Sequence, residues 1–347
     1  AAARLSVSGI SQAARTPLDV WALAKLETAE LSYSPDASRG DLIRRLKFDL
    51  LGLPPSPDEV NSFLADERPD AYERLVEEYL SSPQFGECQA RMWLDVVGYA
   101  DTAGYNADPV RPLAYQYRDW AIRSFNQDKP FARMIHEQIA GDELFTSDGQ
   151  AQIATGYLRM WPDESNASNI LLARQDALND LTGNASAAFL GLTLACAQCH
   201  DHKFDPLRQK DYYTLQAFFV GIVPREEVAV GSSERIADYL KKRQEWLDET
   251  EPLRSELQQI EASVRIPLTA EKRMKFPSIV LDAIDTHPER RSAMQRQLAF
   301  WSERQIDYSE ASLEKKLSEA QKKRRDELRK ALAEQKRSMP QPPERRS

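Results

Sequence analysis

The chain has 347 residues, 41% hydrophobic and 29% charged, a balance that fits one large or two modest globular domains and excludes a disordered or fibrous protein. A net charge of −8 argues against nucleic acid as the main partner. The longest apolar run, Ala185 to Ala197, is about 13 residues with polar interruptions, too short for a transmembrane segment.

The chain opens on Ala1-Ala2-Ala3, small residues of the kind found around signal cleavage sites. A mature exported chain fits this opening, as does an expression remnant. From Arg39 onward, Leu42, Ile43, Leu46 and Leu50 recur on one helix face, and Gly52-Leu53-Pro54-Pro55 stops that helix. Ser56-Pro57-Asp58-Glu59 reads as a helix start, with Ser at the N-cap and Glu three residues on. Asp70 and Glu73 repeat the pattern ahead of Tyr72, Leu75, Val76 and Tyr79. Further helices are predicted over Gln84–Val97 and Leu113–Phe125, and a long one from about Ser168 into the Cys196 region. Period-2 alternation is absent, so few strands are expected.

The character changes near residue 224. Ser233 to Arg265 reads as one charged helix with Ile236, Tyr239, Leu240, Trp246 and Leu247 as a sparse apolar face. A second helical stretch is expected from about Glu289 to Arg337, with Leu313, Leu317, Ala320, Leu328 and Leu332 as a thin stripe. Together they suit an antiparallel hairpin or short coiled coil. Residues 301–347 hold 13 Lys/Arg against 9 Asp/Glu, so the acidic excess lies in the first 300 residues.

One motif carries chemistry. Cys196-Ala197-Gln198-Cys199-His200 has the spacing of c-type haem attachment. Two thiols three residues apart on one turn can each reach one porphyrin vinyl group, and the next residue, His200, is carried under the iron as proximal ligand. Three other readings stay open. Structural zinc needs four ligands, and Cys88 with scattered His would have to complete the set. A thioredoxin-like pair needs its cysteines at a helix start after a strand. A plain buried pair of thiols is the third.

The motif sits among further recognisable blocks: Ala154-Thr155-Gly156-Tyr157-Leu158-Arg159, Leu190-Gly191-Leu192-Thr193-Leu194-Ala195, the run from Cys196 through Asp201-His202-Lys203-Phe204-Asp205-Pro206, and Lys210-Asp211-Tyr212-Tyr213. Upstream, Leu42 through Pro57, Trp93-Leu94-Asp95, Tyr99-Ala100-Asp101 and Glu137 through Leu144 continue the pattern. The chain resembles, over about residues 17–222, the planctomycete cytochrome-like PSCyt2 family (DUF1549). The resemblance implies an exported, soluble, periplasmic or cell-envelope protein with one covalent haem c. Such chains commonly continue into a second domain, so a C-terminal domain or subunit is an expected partner. The sequence also departs from the family pattern: Met92 stands where a His is usual, and Gly98 where an Arg is usual.

The fold class expected is therefore mainly α. Residues 1–16 form an N-terminal segment of the mature chain, 17–222 a helical c-type haem domain, 223–337 a long antiparallel helical hairpin, and 338–347 a Pro/Arg-rich tail or truncated linker. Met92 is the first candidate for the sixth iron ligand, because it replaces a family His by another residue that binds iron; its bland alternative is a core residue beside Trp93. Met160 is the weaker candidate, followed by His136. His202 is assigned to orienting the proximal side. Arg91 is a propionate partner candidate, with Arg118, Arg159, Arg174 and Lys203 as others. The function expected is electron transfer with a redox partner protein. A haem enzyme with an open distal site and a haem-stapled assembly subunit are the alternatives, the former motivated by a domain of about 200 residues, large for a simple monohaem carrier.

Overall fold

Capping chemistry starts the first helices. In the computed structural model, which describes residues 14, 16–105, 107–146, 148–224, 233–306 and 309–341, Thr16 opens α1 (Pro17–Thr28) by accepting from the Asp19 N–H. Ser38 opens α2 (Arg39–Leu51), and Gly52 closes it at φ 75°, a left-handed conformation that suits glycine. At α3 (Pro57–Ala65), Ser56 and Glu59 exchange the two hydrogen bonds of a capping box, as their spacing predicts. Asp70 precedes α4 (Ala71–Leu80) but makes no side-chain cap bond. These four helices lie in a first compact unit, residues 1–81. Its core is Ile43, Phe63 and Ala71. The Arg39 guanidinium donates to the carbonyls of Phe63 and Asp66, tying α2 to the end of α3.

The second unit, residues 82–347, begins with α5 (Pro83–Val96), α6 (Ala114–Asn126), α7 (Phe131–Leu144) and α8 (Gly149–Ala154). Gly86 lets α5 and α6 touch: a Cβ there would meet Asn126 and the Ile122 carbonyl. The Gly86 N–H instead donates to Asn126 Oδ1 at 2.8 Å. Several buried polar groups inside this layer pair with one another. The Trp93 indole lies 3.2 Å from both Tyr117 Oη and Gln138 Oε1. The Trp120 indole donates to Glu137, which also pairs with Lys129 and Arg133.

Next come α9 (Ile170–Leu190), α10 (Gln209–Phe219), α11 (Ser233–Leu268) and α12 (Ala270–Arg273), then α13 (Ser278–Asp285), α14 (Ala293–Ser302), α15 (Glu310–Lys316) and α16 (Glu319–Gln335). The main core joins Tyr117, Trp120, Ile170 and Leu181 to Val280, Ala283, Leu298 and Trp301. It therefore continues past residue 222, and α13 and α14 are core helices rather than parts of a hairpin. Asp163 fastens them, accepting from the Trp301 indole and pairing with Arg304.

α11 and α16 run antiparallel. The Trp246 indole donates to the Gln335 carbonyl, Arg324 pairs with Glu256, and Gln321 reaches Ser263. Leu313 of α15 and the adjoining Leu317 pack with Val264 of α11. The stretch expected as one helix from 289 to 337 is divided, because Ser292, Ser309 and Ser318 each cap the start of a new helix. The fold is mainly helical; among the described residues there is no strand, only an isolated bridge between Thr102 and Val110. No helix among them is long and apolar enough to cross a membrane. The ends of the expected N-terminal segment and of the expected tail, residues 1–13 and 342–347, lie outside the described residues.

Candidate functional site

The turn that bears Cys196 is made by the end of α9. The helix does not run into the motif, as the apolar pattern suggests, but stops at Gly191, whose φ of 64° breaks it. The Leu192 N–H returns to the Ser186 carbonyl at 3.1 Å and the Gly191 N–H to that of Ala187 at 3.2 Å, so the freed carbonyls are satisfied. After Thr193 the chain forms a short 3-10 helix, Leu194–Gln198. It folds back on α9 at Gly183, where an added Cβ would lie 3.2 Å from the Ala195 Cβ. Leu194 and Ala197 are buried against Tyr212 of α10.

Burying Leu194 and Ala197 turns the other residues outward. Cys196, Cys199 and His200 are exposed, and neither cysteine is in a disulfide. His200 Nδ1 lies 2.7 Å from the Asp201 carbonyl oxygen. A carbonyl only accepts, so Nδ1 carries a proton, and in the neutral ring the lone pair is on Nε2.

The next residues brace this turn. His202 Nδ1 accepts from the Asp205 N–H at 2.9 Å and the Phe204 N–H at 3.3 Å. Its other nitrogen, Nε2, then donates to Thr193 Oγ1 at 3.2 Å. The Asp201 carboxylate accepts from the Gln209 N–H at 2.8 Å, and the Gln209 side chain and the Tyr213 hydroxyl both donate to the Gln198 carbonyl at 3.1 Å. Tyr212 donates to Asn179 at 3.0 Å, and burial pushes its hydroxyl up to about 12. The sequence does not mark Thr193, Gln209 and Tyr213 as a brace; the Lys210–Tyr213 block is the signal that points to the last.

Other candidates are distributed more widely. Met92, 49% exposed, is not the core residue that its bland alternative requires. Its neighbour Trp93 packs at 5.8 Å on Phe189, near the end of α9. Arg91 is exposed on the same helix, and His136 is exposed on α7. Met160 packs against the main core. Of the other cations, Arg118 pairs with Asp119, Arg159 with Asp163, and Arg174 donates to Gln297, while Lys203 sits 5.1 Å from the Phe204 ring centre.

The family model PSCyt2, described as a protein of unknown function (DUF1549), matches residues 17–223. The chain belongs to the PSCyt2 family. No curated protein and no solved structure gives a significant match. The matched span ends four residues beyond α10, so it contains the whole Cys196 turn and its brace.

Geometry separates the rival readings of the two thiols. Cys88, which a zinc site would have to recruit, is buried in α5. Among the described residues no three His, Cys, Asp or Glu side chains form a group able to hold a metal ion, whereas structural zinc takes four ligands. A thioredoxin-like thiol gains its reactivity at a helix N-terminus after a strand; Cys196 lies inside a 3-10 turn between two helices. A buried structural pair does not match two exposed thiols.

Proposed function

We propose that Cys196 and Cys199 hold one haem c by thioether bonds and that His200 is its proximal ligand, in an exported electron-transfer protein. The observation that carries the reading is the pair of free, exposed thiols beside a histidine whose Nδ1 is tied to the Asp201 carbonyl, leaving Nε2 for a metal. Each thiol S–H adds across a vinyl C=C, so attachment requires no leaving group. Haem supplies a one-electron couple at its iron. The chain's own residues supply the rest: the Gly191 stop presents the turn, the buried Leu194 and Ala197 anchor it, and the Asp201 carbonyl sets the His200 tautomer.

In a six-coordinate carrier the exposed Met92 would supply the sixth ligand. An open-site enzyme would leave that position to substrate. The test is to mature the protein with c-type haem-attachment machinery in a periplasm and record a pyridine haemochrome and intact mass. One covalent haem per chain is expected, with a low-spin reduced spectrum that resists carbon monoxide and is lost in Met92→Ala. No covalent haem in matured protein would sink the reading. A rapid carbon monoxide adduct in the parent would move the role from carrier to enzyme.

A further inference from the structure

Helix α10 is apolar on two faces. Tyr212, Gln216 and Phe219 are buried. The opposite stripe, Lys210, Tyr213, Thr214, Ala217 and Phe218, lines a shallow open groove of about 520 Å³. Phe218 is 78% exposed there, and Phe204, four residues beyond His200, is 83% exposed. A helix at the surface of a soluble domain turns its polar side to water; aromatic rings grouped on that side mark something that covers them.

The groove meets the Cys196 turn at Tyr213. The Tyr213 hydroxyl that donates to the Gln198 carbonyl belongs to a ring lining the groove, and Gln198 lies between the two thiols. A ligand tethered at those thiols is thereby held beside the groove at high effective concentration. The lining is two aromatic rings, Ala217 and Thr214, with one cation, Lys210. That combination suits a flat apolar ring system carrying carboxylates.

We propose that this face of α10 is the wall that receives the haem, with Tyr213 and Phe218 against its apolar ring system and Lys210 pairing a propionate. The proposal rests on the haem reading above and extends it to residues outside the attachment motif. Covering the haem edge with Phe218 excludes water, which favours the less charged, reduced form.

The experiment compares haem-loaded parent, Phe218→Asp, Ala217→Asp and Lys210→Gln. Pyridine haemochrome is recorded first, then Soret circular dichroism and a redox titration. Phe218 and Ala217 are both exposed, so far-ultraviolet circular dichroism is expected to be unchanged. Both Asp variants keep covalent haem, alter the Soret dichroism and lower the reduction equilibrium constant at least tenfold, a shift of ~59 mV for one electron. Lys210→Gln moves the pH dependence of the potential to higher pH, because a propionate without its cation holds its proton more tightly. If both Asp variants keep the parent's dichroism and potential, another occupant covers α10 and the proposal is overturned. A parent without covalent haem overturns the functional reading, and this one with it, before any variant is compared.

Discussion

A histidine whose nitrogen faces a carbonyl oxygen has one tautomer open to it, and a histidine whose nitrogen faces two amide N–H groups has the other. His200 and His202, two residues apart, are held in these opposite states by Asp201 and by the Phe204 and Asp205 amides. His200 therefore keeps Nε2 for a ligand, while His202 spends both nitrogens on the turn. The sequence identifies both residues but not this division, since tautomers depend on which backbone groups the turn brings near. His202→Ala leaves the Phe204 and Asp205 amides without their acceptor. Their hydrogen exchange is expected to quicken at least tenfold, with a stability loss of about 1–2 kcal/mol. Unchanged exchange at both amides would show that the turn holds itself without His202.

Helix periodicity marks most of the elements, and what it misses is where they stop. The α9 pattern of apolar residues runs on into the Cys196 region, yet Gly191 ends the helix because its left-handed φ lets Leu192 turn back. The charged stretch after 289 likewise shows continuous helical composition, and Ser292, Ser309 and Ser318 cut it by capping. Serines inside polar stretches are common, so only packing tells which of them cap. Arg325 of α16 is buried yet bridges Glu261 of α11 and Glu310 of α15. Arg325→Met removes one member but leaves both carboxylates paired with Arg329, 3.4 Å from Glu261 and 2.9 Å from Glu310, and Glu310 is mostly open to water. The loss expected is therefore about 1–2 kcal/mol, less than for a fully buried pair. Thermal unfolding of the full chain measures it, and a Tm equal to the parent's would mean that Leu313, Leu317 and Val264 hold the helices without the ions.

At the scale of the second unit, the family region and the later helices share one core, which a boundary at 222 cannot express. Aromatic and aliphatic residues from 276 to 306 look sparse in sequence because each helix supplies only two or three of them to that core. The polar fastening is Asp163, 1% exposed, which meets Arg159, Arg304 and the Trp301 indole. Burial pushes its carboxyl up, but Arg304 and Arg159 outweigh burial and hold it below the ordinary 3.8. Glu137 behaves the same way: burial raises it, and Lys129 and Arg133 bring it below 4.5. A folded value below the unfolded one means that both groups stabilise the fold above their ordinary values. That contribution is lost as pH falls through the depressed ones. Asp163→Asn removes the charge while keeping the shape, and leaves the two arginines facing each other. It is expected to cost about 3 kcal/mol at pH 7. Part of the parent's decline below pH 3.8 disappears with it, so the two stability curves converge in acid. Urea unfolding at pH 7 and at acid pH, followed by tryptophan fluorescence, reads both effects, because Trp301 sits on the fastening itself. Parallel curves across the acid range would mean that Asp163 is already neutral in the folded chain, and the arginines would then have to find their counter-charge elsewhere.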